Sequence, residues 1–331
     1  MRVIFFGSSE FSIPTFESLL KDGHEIVAAV TQPDRARGRG KHASPTPVKQ
    51  LASEIGLPVL TPENVNQPEV VERLKSLAAD VGYVVAFGQK IGPELLNACP
   101  AGMVNLHASL LPSLRGAAPI QWSILNGAEE AGVTVFRLVE RMDAGPILVQ
   151  RKTLINPDET ADELHDRLAR IGCDAVRAAM EMLEGDPRTP GIPQDDSRAT
   201  RARKLSKADG RITFDQPVAA VCRRIRGLWS WPGAMCRFVS REGARDEVVT
   251  LARATVYEGK SMPASSPDVC GRVSEVMSVQ CLDGEMALLE IKPASGRLME
   301  WKDFVNGRHV EAGDRFVALD PSALDTPGRA G

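Results

Sequence analysis

Three side chains in this sequence have the chemical types that acyl transfer to an amine requires. Asn105 and His107 stand two residues apart, and Asp143 lies in the short run Met142-Asp143-Ala144-Gly145-Pro146. An amide can donate a hydrogen bond to a developing oxyanion, an imidazole can carry a proton, and a carboxylate can orient that imidazole. No serine or cysteine nucleophile is needed when the amine attacks directly. The trio therefore predicts direct acyl transfer to an amine.

Each of these residues also has a purely structural interpretation. A single histidine is more often structural or exposed, and an aspartate before a glycine commonly satisfies its own turn. The spacing of Asn105 and His107 favours chemistry, because side chains two apart on a strand share one face. At the carboxyl end of a strand they would face the crevice in which α/β sheets bind their ligands.

The elements that must position these residues alternate between strands and helices. Apolar runs predict strands at Arg2–Phe6, Glu25–Val30, Pro58–Leu60, Val81–Phe87, Met103–Leu106, Gly132–Leu138 and Ile147–Lys152. Helical spacing predicts helices at Phe11–Leu20, Thr46–Glu54, Pro68–Leu77 and Thr160–Leu183. Such alternation indicates βαβ units, and hence an α/β domain with a parallel sheet covered by helices.

A second domain is predicted after a proline-rich stretch that begins beyond Gly185. Residues 1–185 form the first domain, 186–206 a linker, 207–320 the second domain, and 321–331 a disordered tail. A helix is predicted at Pro217–Leu228, and short strands at Ala234–Val239, Val248–Val256, Gly271–Val276, Val279–Leu282 and Met286–Ile291. Several short strands separated by glycine and polar turns are typical of a small OB-like β-barrel.

The composition is that of an ordinary globular protein. The chain has 331 residues, 43% hydrophobic and 25% charged, and a formal net charge of -3. That charge attracts no polyanion globally, so a nucleic-acid partner would have to meet local basic patches. The six cysteines are scattered, without C-x-x-C pairs or metal-ligand spacing. Together with the absence of a leader or an apolar span, they predict a cytoplasmic protein with reduced thiols, no metal and no membrane contact.

The longest informative segment runs from Asn105 to Trp122, with the sequence NLHASLLPSLRGAAPIQW. It resembles the signature of the folate-dependent formyltransferases, and Gly132-Val133-Thr134 with Asp143-Ala144-Gly145-Pro146 resembles their second motif. Further similar segments occur in order along the chain, at Phe6–Phe11, Thr31–Asp34, Ala86–Gly88 and Lys204–Lys207. The resemblance therefore covers essentially the whole chain.

This resemblance implies a Rossmann-like formyltransferase domain that binds 10-formyltetrahydrofolate, followed by an OB-like domain that helps to hold tRNA. In such a site Asn105 would hydrogen-bond the formyl oxygen, and His107 would stabilise the oxyanion or pass a proton. Asp143 would hold His107 and assist deprotonation of the amine. The folate site would be lined by Phe87, Gly88, Ser109, Leu110, Leu111 and Pro112.

The resemblance is strongest to the members that formylate initiator methionyl-tRNA for translation initiation. It implies transfer of the formyl group to the α-amino group of that tRNA without a metal, and we expect the enzyme to be a monomer. A basic, glycine-rich loop, 34–42, would reach the acceptor end, although it could also be a solvated loop without a partner. The residues expected to contact tRNA are Arg35, Arg37, Arg39, Lys41, Lys204, Lys207 and Arg223.

Three other functions share some of these sequence features. A formyltransferase acting on a nucleotide-linked amino sugar could share the trio and the folate site, but the RGAAPIQ run and the basic loop disfavour it. A catalytically silent RNA-binding protein is disfavoured by retention of all three residues. A Rossmann dehydrogenase is disfavoured because Phe6–Glu10 lacks the G-x-G-x-x-G fingerprint.

Overall fold

The computed structural model describes residues 1–37 and 42–320. The helices are α1 (Ile13–Lys21), α2 (Pro47–Glu54), α3 (Pro68–Lys75), α4 (Pro93–Leu96), α5 (Pro119–Leu125), α6 (Ala161–Gly185), α7 (Val218–Leu228) and α8 (Trp301–Arg308). The strands are β1 (Arg2–Gly7), β2 (Glu25–Val30), β3 (Arg35–Arg37), β4 (His42–Ser44), β5 (Val59–Leu60), β6 (Val81–Val85), β7 (Met103–His107), β8 (Arg115–Gly116), β9 (Glu130–Arg137), β10 (Ile147–Leu154), β11 (Arg201–Ala202), β12 (Ala234–Val239), β13 (Asp246–Val256), β14 (Val279–Gln280), β15 (Glu285–Pro293), β16 (Met299–Glu300) and β17 (Arg315–Ala318).

The chain divides into two compact units. Unit 1 contains Met1–Pro119, Ala131–Thr153 and His165–Ala202. Unit 2 contains Ile120–Glu130, Leu154–Leu164 and, of the described residues, those from Arg203 to Asp320. Two short segments of the first half thus belong to the second unit, and the stretch predicted as a linker is divided between the units after Ala202. The predicted domain limits at 185 and 206 stay predictions, and the predicted disordered tail, 321–331, lies outside the described residues.

Unit 1 is built on a sheet with the strand order β10-β9-β7-β6-β1-β2-β5. The pairs that join β7, β6, β1, β2 and β5 are parallel, whereas β9 runs antiparallel to β7. The strands β1 and β6 are buried along almost their whole length, so both faces must be covered. This explains why they read as continuous apolar runs in the sequence. The predicted Rossmann-like α/β domain is confirmed.

Local signals start the helices around this sheet. Thr46 caps α2 by accepting a hydrogen bond from the Lys49 amide at 3.1 Å, and Pro47 follows in the first helical position. Thr160 caps α6 in a reciprocal arrangement with Glu163. The Glu163 amide donates to the Thr160 hydroxyl at 3.3 Å, while the Thr160 amide donates to the Glu163 carboxylate at 2.9 Å. These reciprocal hydrogen bonds explain why the long helix begins after Thr160.

Unit 2 contains an antiparallel sheet with the order β14-β15-β13-β12-β17. Single bridges from Arg272 to Arg315 and from Val273 to Val279 link its two edge strands and nearly close a barrel. The interior is filled mainly by apolar side chains from β12, β13, β15, α7 and α8, including the stacked rings of Trp301 and Phe304. The predicted OB-like barrel is confirmed.

One barrel strand was predicted wrongly. Gly271–Val276 contributes only the bridges at Arg272 and Val273, because the following residues form a tight turn. Ser274 and Ser278 close that turn with a hydroxyl–hydroxyl hydrogen bond of 2.7 Å. The helix α8 and the strand β17 were not predicted, although Trp301, Phe304 and Val305 have helical spacing in the sequence.

Within 1–37 and 42–320, none of the helices combines the length and apolar composition needed to cross a membrane. The same ranges contain no group of three or more His, Cys, Asp or Glu side chains arranged to hold a metal ion. All six cysteines are free, and burial raises the pKa of Cys99 to about 11 and that of Cys222 to about 12. These two side chains are therefore neutral thiols at neutral pH.

Candidate active site

Asn105 and His107 lie on the last residues of β7, next to the antiparallel strand β9. In that register Asn105 stands opposite Phe136, and His107 stands opposite Thr134. Residues two apart on a strand project from the same face, so the amide and the imidazole share one side of the sheet. His107 is buried, with 7% of its surface exposed, and Asn105 is half-buried. The two groups therefore lie on one face of the sheet, near the carboxyl end of β7.

The His107 ring is held by a backbone carbonyl and an aromatic ring. Its Nε2 atom lies 3.0 Å from the Leu114 carbonyl oxygen. Because a carbonyl oxygen only accepts, Nε2 carries the hydrogen and donates it. The edge of the ring meets Phe136, with the ring centroids 6.5 Å apart at an interplanar angle of 87°. In the neutral ring Nδ1 therefore holds the lone pair and is the atom that can accept a proton.

The Asn105 side chain has an oxygen atom without a hydrogen-bond partner. Its Oδ1 atom is buried, and nothing in the described part of the chain donates to it. A buried polar atom left unpaired costs about 1–3 kcal/mol, so few occur in folded proteins. Such an atom at the end of a sheet strand, beside a buried imidazole, can take a hydrogen bond from a bound molecule.

Asp143 lies in the loop between β9 and β10 and has a left-handed backbone with a φ of 51°. Its Oδ2 atom accepts a hydrogen bond of 2.8 Å from the Gly116 amide. Among the described residues, Asp143 and His107 share neither a hydrogen bond nor an ion pair. The expected hold of Asp143 on His107 is thus not made by a hydrogen bond or an ion pair within the described residues. One loop holds both instead, through Leu114 on the imidazole and Gly116 on the carboxylate.

Gly116 is required at its position by a close approach. Its φ is +125°, and a Cβ atom there would lie 2.5 Å from the Ala202 carbonyl oxygen. Any other residue would push the loop away from Ala202 and from Asp143 together. The glycine of the R-G pair in the sequence motif therefore has a geometric reason.

The segment 109–112, predicted to line a folate site, is held in place by hydrogen bonds to Thr134, which is fully buried. The Thr134 hydroxyl donates to the Ser109 carbonyl at 2.6 Å and accepts from the Leu111 amide at 3.1 Å. Gln150 adds bonds of 2.9 Å to both the Leu111 carbonyl and the Thr134 hydroxyl. Thr134 and Gln150 were not predicted as site residues. Thr134 stands in the second motif, but its hydrogen-bond partners lie 23 and 25 residues earlier and leave no local signal.

The other predicted folate residues differ in how they are exposed. Leu111 and Phe87 are buried at 3% and 2% exposure, whereas Leu110 and Pro112 are half-buried and Gly88 is exposed. The Phe87 ring packs edge-on against Phe6 in the core, and its carbonyl accepts from Ser8 at 3.0 Å. The surface available to a ligand is thus formed by the half-buried and exposed members of the set.

Thr134→Val should test whether this hydroxyl network supports the site. Valine keeps the shape but leaves the Ser109 carbonyl and the Leu111 amide without their partner. We expect the free energy of unfolding to fall by about 1–3 kcal/mol, measured by urea denaturation. The matched control is Thr250→Val in β13, where no side-chain hydrogen bond is present in the described structure. An equal loss in both variants would contradict the role given to the Thr134 hydroxyl.

The basic residues predicted to contact tRNA are only partly described. Arg35 is exposed in β3, with Nη2 lying 3.4 Å from the Gln32 side-chain oxygen. The strand pairing of β3 with β4 places Arg37 in a hairpin, while its side chain lies outside the described residues. Arg39 and Lys41 lie outside them entirely. The segment expected to be a basic loop thus includes residues of two paired strands, β3 and β4.

In unit 2, Lys204 and Lys207 are exposed, and Arg223 is half-buried with a buried Nε that has no partner among the described residues. Two neighbours of Arg223 on α7 already have structural partners. Arg224 donates to the Arg211 carbonyl at 3.0 Å, and the buried Arg226 donates to the Glu159 carbonyl at 3.0 Å. Lys204, Lys207 and Arg223 therefore remain the candidates in this unit.

Comparisons with known proteins identify relatives over nearly the full length. Residues 1–180 match the model of the formyl transferase family, and residues 204–309 match that of the formyl transferase C-terminal domain. A methionyl-tRNA formyltransferase from Solibacter usitatus is 38% identical over 96% of this chain and 98% of its own. Another from Methylococcus capsulatus is 40% identical over 96% of this chain and 99% of its own.

The fold also recurs in a solved structure. The crystal structure of HypX from Aquifex aeolicus in complex with tetrahydrofolic acid superposes with a TM-score of 0.61 at 16% identity. The match covers 94% of this chain and 48% of that protein. At this identity the similarity concerns the fold alone, and it extends over both units of the chain.

Proposed function

We propose that this chain, which belongs to the formyl transferase family, transfers the formyl group of 10-formyltetrahydrofolate to the α-amino group of initiator methionyl-tRNA. The product is N-formylmethionyl-tRNA, which serves translation initiation. The observation that carries the proposal is the alignment of relatives named for this activity with 96% of the chain, including both units. We further propose that the enzyme acts as a monomer in the cytoplasm.

In the proposed mechanism the neutral amine attacks the formyl carbon directly. The new C–N bond forms to the amine, the bond between the carbon and N10 of the folate breaks, and N10 takes up a proton. The Asn105 Nδ2–H group donates to the formyl oxygen as it becomes an oxyanion, and its unpaired Oδ1 accepts an N–H from the attacking amine. Both ends of the amide then have partners.

His107 and Asp143 manage charge and protons in this scheme. Because Nε2 of His107 is engaged by the Leu114 carbonyl, Nδ1 is the atom that takes the proton lost by the amine and returns it to N10. The Asp143 carboxylate favours the positive charge that the amine and the imidazole carry during this exchange. It is held by the Gly116 amide, and no hydrogen bond links it to His107 within the described residues.

The donor is proposed to bind against the segment 109–112 and the exposed backbone at Gly88. Leu110 and Pro112 supply half-buried apolar surface for the pterin ring, while Leu111 and Phe87 support it from the core. The hydrogen bonds that the Thr134 hydroxyl donates to Ser109 and accepts from Leu111 keep the segment in place before the donor arrives. A preformed site of this kind loses less entropy on binding.

The tRNA is proposed to meet local basic surfaces, since the net charge of the chain is -3. These surfaces comprise the residues of the basic loop and three residues of unit 2. They are Arg35, Arg37, Arg39, Lys41, Lys204, Lys207 and Arg223. Arginine and lysine neutralise phosphates and release their counterions, so binding through them weakens as salt rises.

The double variant Arg37→Ala/Arg39→Ala should flatten the salt dependence of tRNA binding. Each lost phosphate contact lowers the slope of log K against log salt by about 0.7–0.9, so we expect a decrease of about 1–2. The slope is measured by filter binding of methionyl-tRNA between about 50 and 200 mM salt. Binding through phosphate contacts changes strongly over this range. Arg73→Ala/Arg188→Ala changes the net charge equally at two exposed positions and should leave the slope unchanged. An unaltered slope in the first pair would remove the loop from the interface.

The function itself is tested with one donor and two acceptors. The purified protein is incubated with 10-formyltetrahydrofolate and either initiator methionyl-tRNA or a nucleotide-linked amino sugar. Formylation of the tRNA alone is the expected result. Formylation of only the sugar would overturn the acceptor, and binding of tRNA without formylation would point to a silent RNA-binding protein.

A further inference from the structure

The side-chain amide of Gln194 connects two loops of the candidate active site within unit 1. Its Nε2 group donates to the carbonyl oxygens of Asp143 at 2.9 Å and Gly145 at 2.8 Å. Its Oε1 atom accepts from Nε and Nη2 of Arg115 at 3.1 and 2.7 Å. A single side chain thus uses both its donor end and its acceptor end. It ties the loop that carries Asp143 to the loop that carries Gly116.

Gln194 belongs to a segment that continues along the same two loops, and we name residues 192–202 the strap. At its start Ile192 exchanges two backbone hydrogen bonds of 2.8 Å with Ile147. Further on, the Thr200 hydroxyl accepts from the Leu114 amide at 2.9 Å, and β11 pairs with β8 in parallel. The strap is therefore bonded on both sides of the glutamine, so the position of Gln194 is fixed independently of Asp143.

The strap holds two residues whose backbones are strained. Leu114 and Asp143 have φ values of 60° and 51°, in the left-handed region that residues other than glycine rarely adopt. Such conformations persist only where the surrounding structure over-determines them. Thr200 holds the amide of Leu114, and Gln194 holds the carbonyl of Asp143. Both residues belong to the site itself. The Leu114 carbonyl accepts from the His107 imidazole, and Asp143 supplies the carboxylate.

We propose that Gln194 is a positioning residue for formyl transfer. It fixes the backbone of the Asp143 loop, and thereby the place of the carboxylate relative to Asn105 and His107. The inference rests on the proposed function, since it assigns Asp143 a part in that reaction. Gln194 touches neither substrate in this scheme and acts only through Asp143.

Gln194→Met removes the amide while keeping the length of the side chain. We expect kcat to fall about 10- to 100-fold, because small displacements of a reacting group have effects of that size, with KM for both substrates nearly unchanged. The matched control is Gln280→Met in the barrel. The Gln280 amide also donates to backbone carbonyls, of Cys281 at 2.9 Å and Gly284 at 3.1 Å. We expect Gln194→Met and Gln280→Met to lower the melting temperature by similar amounts, but only Gln194→Met to lower kcat. Equal losses of kcat in both variants would overturn the proposal.

Gln194→Glu removes the hydrogen bonds that the side chain donates and keeps those that it accepts. The carboxylate still accepts from Arg115, but it has no hydrogen to donate to the carbonyls of Asp143 and Gly145. A kcat as low as that of Gln194→Met is expected. Wild-type kcat in this variant would show that only the Arg115 contact matters, and it would contradict a role through Asp143.

A double-mutant cycle with Asp143→Asn distinguishes failure of this inference from failure of the proposed function. If Gln194 acts only through the carboxylate, Gln194→Met should cause little further loss of kcat in the Asp143→Asn protein. Additive losses would overturn the inference while leaving the proposed reaction intact. Full activity of Asp143→Asn alone would instead refute the part of Asp143 in the reaction, and with it the basis of this inference.

Discussion

Asp143→Asn is expected to lose most formyl transfer while folding as the wild type does. Asparagine has almost the same shape, and its side-chain oxygen can still accept the 2.8 Å hydrogen bond from the Gly116 amide. What disappears is the negative charge that favours the protonated states of the amine and the imidazole. Loss of a group that manages proton transfer typically costs about 10²–10⁴ in rate, and we expect kcat to fall within that range.

A second aspartate in the chain provides the control for this exchange. Asp283 also uses one carboxylate oxygen to accept from a backbone amide, that of Val218 at 2.7 Å. Asp283→Asn thus makes the same change of charge and keeps the same kind of hydrogen bond. Initial rates with saturating 10-formyltetrahydrofolate and methionyl-tRNA should be unchanged in that variant. Near-wild-type turnover of Asp143→Asn would remove the carboxylate from the mechanism.

The fold could be predicted where burial leaves a direct mark on the sequence. The strands β1 and β6 are buried on both faces and therefore appear as continuous apolar runs. The strand limits of the barrel were harder to predict from the sequence, because the strands are short and the turns determine where they end. Gly271–Val276 has strand-like composition, yet the serine-closed turn that follows Val273 ends the pairing there.

The sequence predicted which side chains form the site, but not the hydrogen bonds that hold them. Asn105 and His107 share a strand with a spacing of two, which the sequence shows directly. The partner of His107 is a backbone carbonyl, that of Leu114, and a carbonyl has no sequence signature. Gln194 and Thr200 come from a proline-rich stretch that predicts a linker, and their bonds to Asp143 and Leu114 join residues 51 and 86 positions apart. Only the folded chain brings these groups together.

Asn105→Leu should separate stability from catalysis at the centre of the site. The Asn105 Oδ1 atom is buried without a partner in the described structure, which destabilises the folded state. Leucine has a similar size and no polar atom, so we expect the free energy of unfolding to stay the same or to rise by about 1 kcal/mol. Sites arranged for function commonly sacrifice stability in this way.

Catalysis should change in the opposite direction in the same variant. Without the amide, the developing oxyanion loses its donor, and kcat should fall by about 10²–10³, as it does when a single oxyanion donor is removed. Asn97→Leu is the reference, because the Asn97 amide is paired with the Pro93 carbonyl at 3.1 Å. That variant should lose about 0.5–1.5 kcal/mol of stability and keep its turnover. Urea denaturation and formyl transfer, measured on both proteins, give the four values. A clear loss of stability in Asn105→Leu would mean that the amide has a structural partner, and retained turnover would mean that the oxyanion is stabilised elsewhere.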